Sequence, residues 1–323
     1  MSSAAQTTHP ESADHSADAP PSTLSACVEL TKPGITRLVT ITALVGLLLS
    51  GLHHNLTGLT TWITLIIGCT VGTALSSGGA NALNMWYESD LDARMDRTKS
   101  RPIPSTRLTP RFVLLYGLGI SALGAIILAF TLSLLSAIVA IVTAALYVVI
   151  YTPLKTRTIT NTLVGAVPGA LPTLIGTCAL SEATGFAKLA DPIGLMLFTL
   201  MFVWQLPHFF AIAWMCRHDY ERGGFRMLPA IDATGNHTAS ILIFTSLLLI
   251  PVTLAPLWIV PDLAGLPTAI AAVLLGLLMV VLSIKFATTR TERAARIVFF
   301  GSIIHLPLYM LVFVADALLR SLL

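Results

Sequence analysis

Residues 38–87, LVTITALVGLLLSGLHHNLTGLTTWITLIIGCTVGTALSSGGANALNMWY, contain no Asp, Glu, Lys or Arg. A transmembrane helix needs about 20 apolar residues to cross roughly 30 Å of hydrocarbon. The stretch is more than twice that length, and its polar break His53-His54-Asn55 divides it into two spans. The same reading extends along the chain. Phe112 to Leu154 is also free of charged side chains and divides near Thr131, while Thr158 to Ser181, Pro192 to Cys216, Ala233 to Val260, Leu263 to Ile284 and Ile297 to Ala315 supply one span each. The pattern predicts an all-α fold, a polytopic membrane bundle of about nine transmembrane helices around a central cavity. Composition agrees, because 55% hydrophobic and 11% charged residues among 323 are too apolar for a surface that water must wet.

Nine spans place successive loops alternately on two sides, so the 19 Lys and Arg residues divide between them. Seventeen fall on one side, in the segments before the first span and after the second, fourth, sixth and eighth; Lys188 and Arg320 fall on the other. Basic residues stay in the cytoplasm, so the N-terminus and the long loops are expected there, in the cell (inner or plasma) membrane. The net charge of +3 then reports topology and anionic headgroups, with no nucleic-acid partner implied. Residues 1–27 are rich in Ser, Ala, Thr, Pro and His and read as a disordered cytoplasmic tail, leaving 28–323 as the transmembrane domain. Cys27, Cys69, Cys178 and Cys216 are scattered and predict neither disulfides nor zinc.

Two loops on the basic side are more polar than a connection requires. After span two, Asn84, Glu88, Asp92 and Asp96 recur at every fourth residue, which on a continuing helix puts them on one face. Like charges at that spacing repel. A divalent cation would compensate, and Mg²⁺ takes one or two carboxylates completed by water and phosphate oxygens. Arg97, Lys99 and Arg101 follow at once and suit the remaining phosphate oxygens. The alternative is a solvated loop of mixed charge. In span six, Gln205 and His208 stand three apart around Pro207, which predicts a shared face and a kink; polar residues within a span are functional candidates. The segment after it carries Arg217, Asp219 and Arg222. Lys32 at the mouth of span one is placed either to reach a phosphate or to anchor the interface, and Tyr151 and Lys155 close span four.

Five separated segments carry a resemblance. Leu30-Thr31-Lys32-Pro33, the run from Asn84 to Pro104, Tyr151-Thr152-Pro153-Leu154-Lys155, the stretch from Trp204 to Phe209, and Asp219-Tyr220-x-x-Gly223-Gly224-Phe225-x-Met227-Leu228-Pro229 together resemble the protohaem IX farnesyltransferase (haem O synthase) family, among the UbiA-type intramembrane prenyltransferases. Relatives that prenylate aromatic rings carry a second aspartate-rich motif near span six; here Gln205, His208 and Asp219 occupy that place.

The resemblance implies transfer of a farnesyl group from farnesyl diphosphate to a vinyl group of haem B with addition of water, giving haem O and diphosphate. It implies that Asn84, Glu88, Asp92 and Asp96 hold Mg²⁺ on the diphosphate, that Arg97, Lys99 and Arg101 steady it, and that His208 contacts the porphyrin. Asp219, with Arg217 or Arg222, would close the site, and Lys32, Tyr151, Lys155 and Gln205 complete the expected substrate-binding set. Glu88 stands where many relatives have Asp, so ligation directly and through water are both open to it. A haem A synthase or a terminal oxidase is the implied recipient of product. The competing readings are an aromatic-ring prenyltransferase and, in a different class, a transporter; the latter would need charges deep in a span, and the acids cluster at one mouth instead.

Overall fold

The computed structural model describes residues 22–322, and the expected tail over residues 1–21 lies outside them. Nine helices long and apolar enough to span a membrane occur among the described residues: α1 Pro33–His53, α2 Leu59–Tyr87, α3 Pro110–Thr131, α4 Leu134–Leu154, α5 Asn161–Leu180, α6 Pro192–Met215, α7 Asn236–Ile259, α8 Leu266–Thr289 and α9 Glu292–Ser321. Their outward side chains are apolar, with Phe130 88% and Trp258 72% exposed, as expected of a surface solvated by lipid. The termini of the nine-helix bundle therefore lie at opposite ends.

Residues 23–27, expected to be disordered, belong to a helix over Thr23–Leu30. The Ser22 hydroxyl accepts from the Ser25 amide and caps it. Ala26 and Leu30 are buried against Ala82, Met85, Leu108 and Val113, and Arg107 ties down Glu29 at 2.7 Å. This docking aims Lys32, whose left-handed φ of 46° joins the helix to Pro33. Such strain is characteristic of residues held for function.

Without a hydrophobic force between helices in lipid, small residues drive close packing. Along α2, Gly72 and Gly79 meet Gly124 and Gly117 of α3. At 29 residues α2 is longer than a bilayer requires, so its last turn carries Asn84 to the basic end. Helix α5 is interrupted at Leu171, between Asn161–Ala170, which holds Pro168, and Pro172–Leu180, which Pro172 opens. By contrast α6 runs unbroken across Pro207. The larger core, with Phe286, Tyr309 and Phe313 fully buried, joins α6 to α9.

Candidate active site

The two polar loops converge at the basic end on a cavity of about 80 Å³ lined by Lys32, Asn84, Glu88, Asp92, Arg97, Arg101, Tyr151 and Lys155, with Met95, Tyr220, Phe225 and Met227. Asn84, Glu88 and Asp92 stay on one face because the backbone keeps its four-residue bonds past the end of α2: Glu88 N–H donates to the Asn84 carbonyl at 3.0 Å and Asp92 N–H to the Glu88 carbonyl at 2.8 Å. The expectation that Asp96 joins them is corrected. After the single turn Ser89–Asp92 the chain breaks into successive turns, and Asp96 leaves the face with its side chain 58% exposed.

Each acid is engaged by a cation. Lys155 Nζ donates to Glu88 Oε1 at 2.7 Å, Arg101 Nη1 donates to both Asp92 oxygens at 2.8 and 2.6 Å, and Lys32 Nζ donates to Asn84 Oδ1 at 2.7 Å. Burial opposes ionisation of Glu88, but Lys155, Lys32 and Arg101 outweigh it and hold the carboxyl below its ordinary range. At Asp92 burial prevails over Arg101 and raises the carboxyl. Burial, reinforced by Arg101, pushes the Lys32 amine down to about 7. Lys155 is buried too, yet Glu88 keeps its ammonium above the ordinary range. Four basic side chains, of which Lys32 is only partly charged near neutral pH, against two carboxylates leave the lining electropositive.

No group of three or more His, Cys, Asp or Glu positioned to hold a metal occurs among the described residues. Glu88, Asp92 and the Asn84 amide oxygen are nonetheless three buried, hard oxygen donors lining one cavity. That set fits Mg²⁺, which keeps water and substrate phosphates among its ligands.

The remaining candidates sit elsewhere. Asp96 pairs with Lys99 at 2.8 Å and with Arg222 at 2.7 Å, and Arg222 also binds Asp219, so these four make an exposed bridge between the two loops outside the cavity. Arg217 donates to the Trp214 carbonyl and to Glu292 and faces away. The shared face expected of Gln205 and His208 is also corrected. Three residues rotate a helix 60° short of a full turn, enough for Gln205 Nε2 to donate to the Ala166 carbonyl of α5 at 2.7 Å while His208 Nδ1 meets Ser302 Oγ of α9 at 2.8 Å.

Sequence reasoning did not select Tyr220, Phe225, Met95 and Met227 as site residues. The available signal was the Gly223-Gly224 pair: Gly224 adopts φ 74°, which folds Phe225 back so that its amide donates to the Tyr220 carbonyl at 2.8 Å. The Lys155 ammonium then lies 4.7 Å from the Tyr151 ring centroid and 5.9 Å from that of Phe225.

Comparison with known proteins places this chain in a family. Residues 39–304 match the model of the UbiA prenyltransferase family. A protein from Solibacter usitatus named protoheme IX farnesyltransferase is 36% identical over 294 residues, spanning 87% of this chain and 94% of its own. In fold, a digeranylgeranylglyceryl phosphate synthase structure matches with a TM-score of 0.70 at 15% identity, over 91% of this chain and 98% of its own. A UbiA homolog from Archaeoglobus fulgidus bound to GPP and Mg²⁺ matches with a TM-score of 0.52 at 14% identity, over 91% and 99% respectively. The chain belongs to the UbiA prenyltransferase family.

Proposed function

We propose that this membrane protein is a protohaem IX farnesyltransferase, joining the farnesyl group of farnesyl diphosphate to a vinyl group of haem B with addition of water and release of diphosphate. The observation that carries the reading is the electropositive cavity in which two buried carboxylates and an amide oxygen face four basic side chains. The relative's name supports the haem acceptor, and the Mg²⁺ and GPP bound to the archaeal homolog support a metal-assisted diphosphate site. The gathering of basic residues on this end supports a cytoplasmic orientation for it, and the cell membrane is the proposed location of the bundle. A haem A synthase or a terminal oxidase then receives the product.

Asn84, Glu88 and Asp92 would hold Mg²⁺, which when bound neutralises charge developing on the diphosphate oxygens as the allylic C–O bond breaks. Lys32, Arg97, Arg101 and Lys155 bind and orient those oxygens; Arg101 and Lys155 exchange the carboxylates they touch in the free protein for phosphate, and Lys32 exchanges the Asn84 amide oxygen. Tyr151, Phe225 and the apolar helices keep bulk water from the allylic carbon. The haem vinyl carbon forms the new C–C bond, and water then adds to the resulting carbocation with loss of a proton. His208 is the proposed porphyrin contact: its ring stacks between Trp204 and Phe299, and Ser302 fixes Nδ1, leaving Nε2 without a hydrogen-bond partner among the described residues. Asp96, Lys99, Asp219 and Arg222 bridge the mouth as its outer closure.

The test incubates detergent-purified protein with farnesyl diphosphate, Mg²⁺ and either haem B or 4-hydroxybenzoate. A product heavier than haem B by the elements of farnesol is expected. A prenylated benzoate with unchanged haem would overturn the reading.

A further inference from the structure

Asn84 presents an oxygen and an amino group that are easily exchanged by a half-turn of its amide, and a cation site needs the oxygen. The Tyr147 carbonyl, a group that can only accept, decides the matter. The Asn84 atom 2.7 Å from Lys32 Nζ is Oδ1, which accepts from the ammonium form of that amine. Nδ2 therefore points the other way, where it donates to Thr152 Oγ1 at 3.0 Å. The Thr152 hydroxyl has its proton committed to the Tyr147 carbonyl at 2.8 Å, a group that can only accept, and is thereby left as an acceptor for Asn84. Every donor and acceptor in the chain Lys32–Asn84–Thr152–Tyr147 is thus determined. Asn84 is fully buried and Thr152 is 1% exposed, so no solvent competes for these bonds.

The backbone is built around this contact. Leu146–Tyr151 forms a π-helical turn, and the Thr152 amide reaches back five residues to the same Tyr147 carbonyl. Pro153 follows and can donate no backbone hydrogen bond. Single π turns inside α-helices are frequent at functional sites. Here the wider turn stacks Tyr147 and Tyr151 and leaves the Tyr151 ring against the cavity. Gly165 makes room for it, since a Cβ there would collide with the Tyr151 ring.

We infer that Thr152 is a positioning residue, whose hydroxyl locks the Asn84 amide with Oδ1 toward the cavity and so sets the affinity of the site for the cation that accompanies the diphosphate. The inference rests on the proposed role of Asn84 in holding Mg²⁺. Thr152 does not line the cavity and acts through Asn84 alone. The same hydroxyl also keeps the buried amino group of Asn84 satisfied, which a valine would not.

The experiment is a calorimetric titration of Mg²⁺ into the full-length protein in detergent with farnesyl diphosphate present and haem absent, so that binding is read without turnover. Thr152→Val should raise the apparent Kd for Mg²⁺ about tenfold, within the 10- to 100-fold range seen when an outer-shell partner is lost. Thr152→Ser should stay within about twofold of the native protein, and Thr152→Cys, a weak acceptor, should fall between. Stoichiometry reports any loss of folded protein separately from Kd. In an Asn84→Ala background Thr152→Val should change Kd less than about twofold, because its route of action is already gone. Equal losses in the serine and valine variants, or a valine effect of the same size in both backgrounds, would overturn the inference while leaving Asn84 in place. An Asn84→Ala protein with native Mg²⁺ affinity would overturn the metal reading itself, and the inference with it.

Discussion

The mouth of the bundle and the seam between α6 and α9 both bury polar side chains, but they satisfy them differently. At the seam His208 meets a serine, and on the α5 side of the same helix Gln205 donates to a backbone carbonyl, both within a packed core. At the mouth Glu88, Asp92 and Asn84 each meet a cation across an open cavity. A polar group bonded to packed backbone stabilises one arrangement. Charges paired across a cavity are bonds that an incoming anion and its counter-ion can replace. Reactive capacity therefore lies with the mouth, and the seam offers a rigid imidazole.

The sharpest way to break that contrast is to strand a charge. Lys155→Met leaves Glu88, 4% exposed, without its cation. Removal of one partner of a buried pair costs about 3–5 kcal/mol, so we expect a large drop in the thermal melting midpoint together with loss of turnover. A melting curve within two degrees of the native protein would mean that the pair is solvated. Asp92→Asn keeps the shape and removes the charge that Arg101 holds. Turnover should fall about 10²- to 10³-fold, the usual loss for one preorganised electrostatic contact, and near-native steady-state rates at limiting Mg²⁺ would remove Asp92 from the site.

How much of this was legible depended on whether the information was local. Hydropathy along 38–87 and the later charge-free stretches marks all nine spans, because each span is decided by its own residues. The spacing of Asn84, Glu88 and Asp92 was equally readable, since it survives as long as four-residue hydrogen bonds do. Asp96 departs because the helix stops, and nothing in a four-residue repeat says where it stops. The hidden parts are tertiary: the Thr152 hydroxyl finds Asn84 from 68 positions away, and Gln205 and His208 separate because α5 and α9 flank α6 on different sides. The helix over Thr23–Leu30 was missed because its composition resembles a tail while Ala26 and Leu30 find a groove.

Smaller effects sharpen the comparison from the seam and from the rim. His208→Ala should weaken haem B binding about tenfold, the equivalent of a contact worth ~1.4 kcal/mol, read as a shift of the Soret titration. A melting midpoint lowered by many degrees with an unchanged Soret titration would assign His208 to packing alone. Asp96→Ala removes exposed, solvent-screened pairs with Lys99 and Arg222 and should alter kcat/KM by less than roughly threefold. A hundredfold loss would return Asp96 to the centre of the site.

We place prenyl diphosphate at the mouth and not at the seam. The decisive measurement titrates farnesyl diphosphate, with Mg²⁺ and without haem, into the native protein, Asp92→Asn and His208→Ala in the same detergent. The Kd should rise at least tenfold in Asp92→Asn, a loss of ~1.4 kcal/mol or more, and stay within about twofold in His208→Ala. A Kd that moves in His208→Ala and not in Asp92→Asn would contradict that placement.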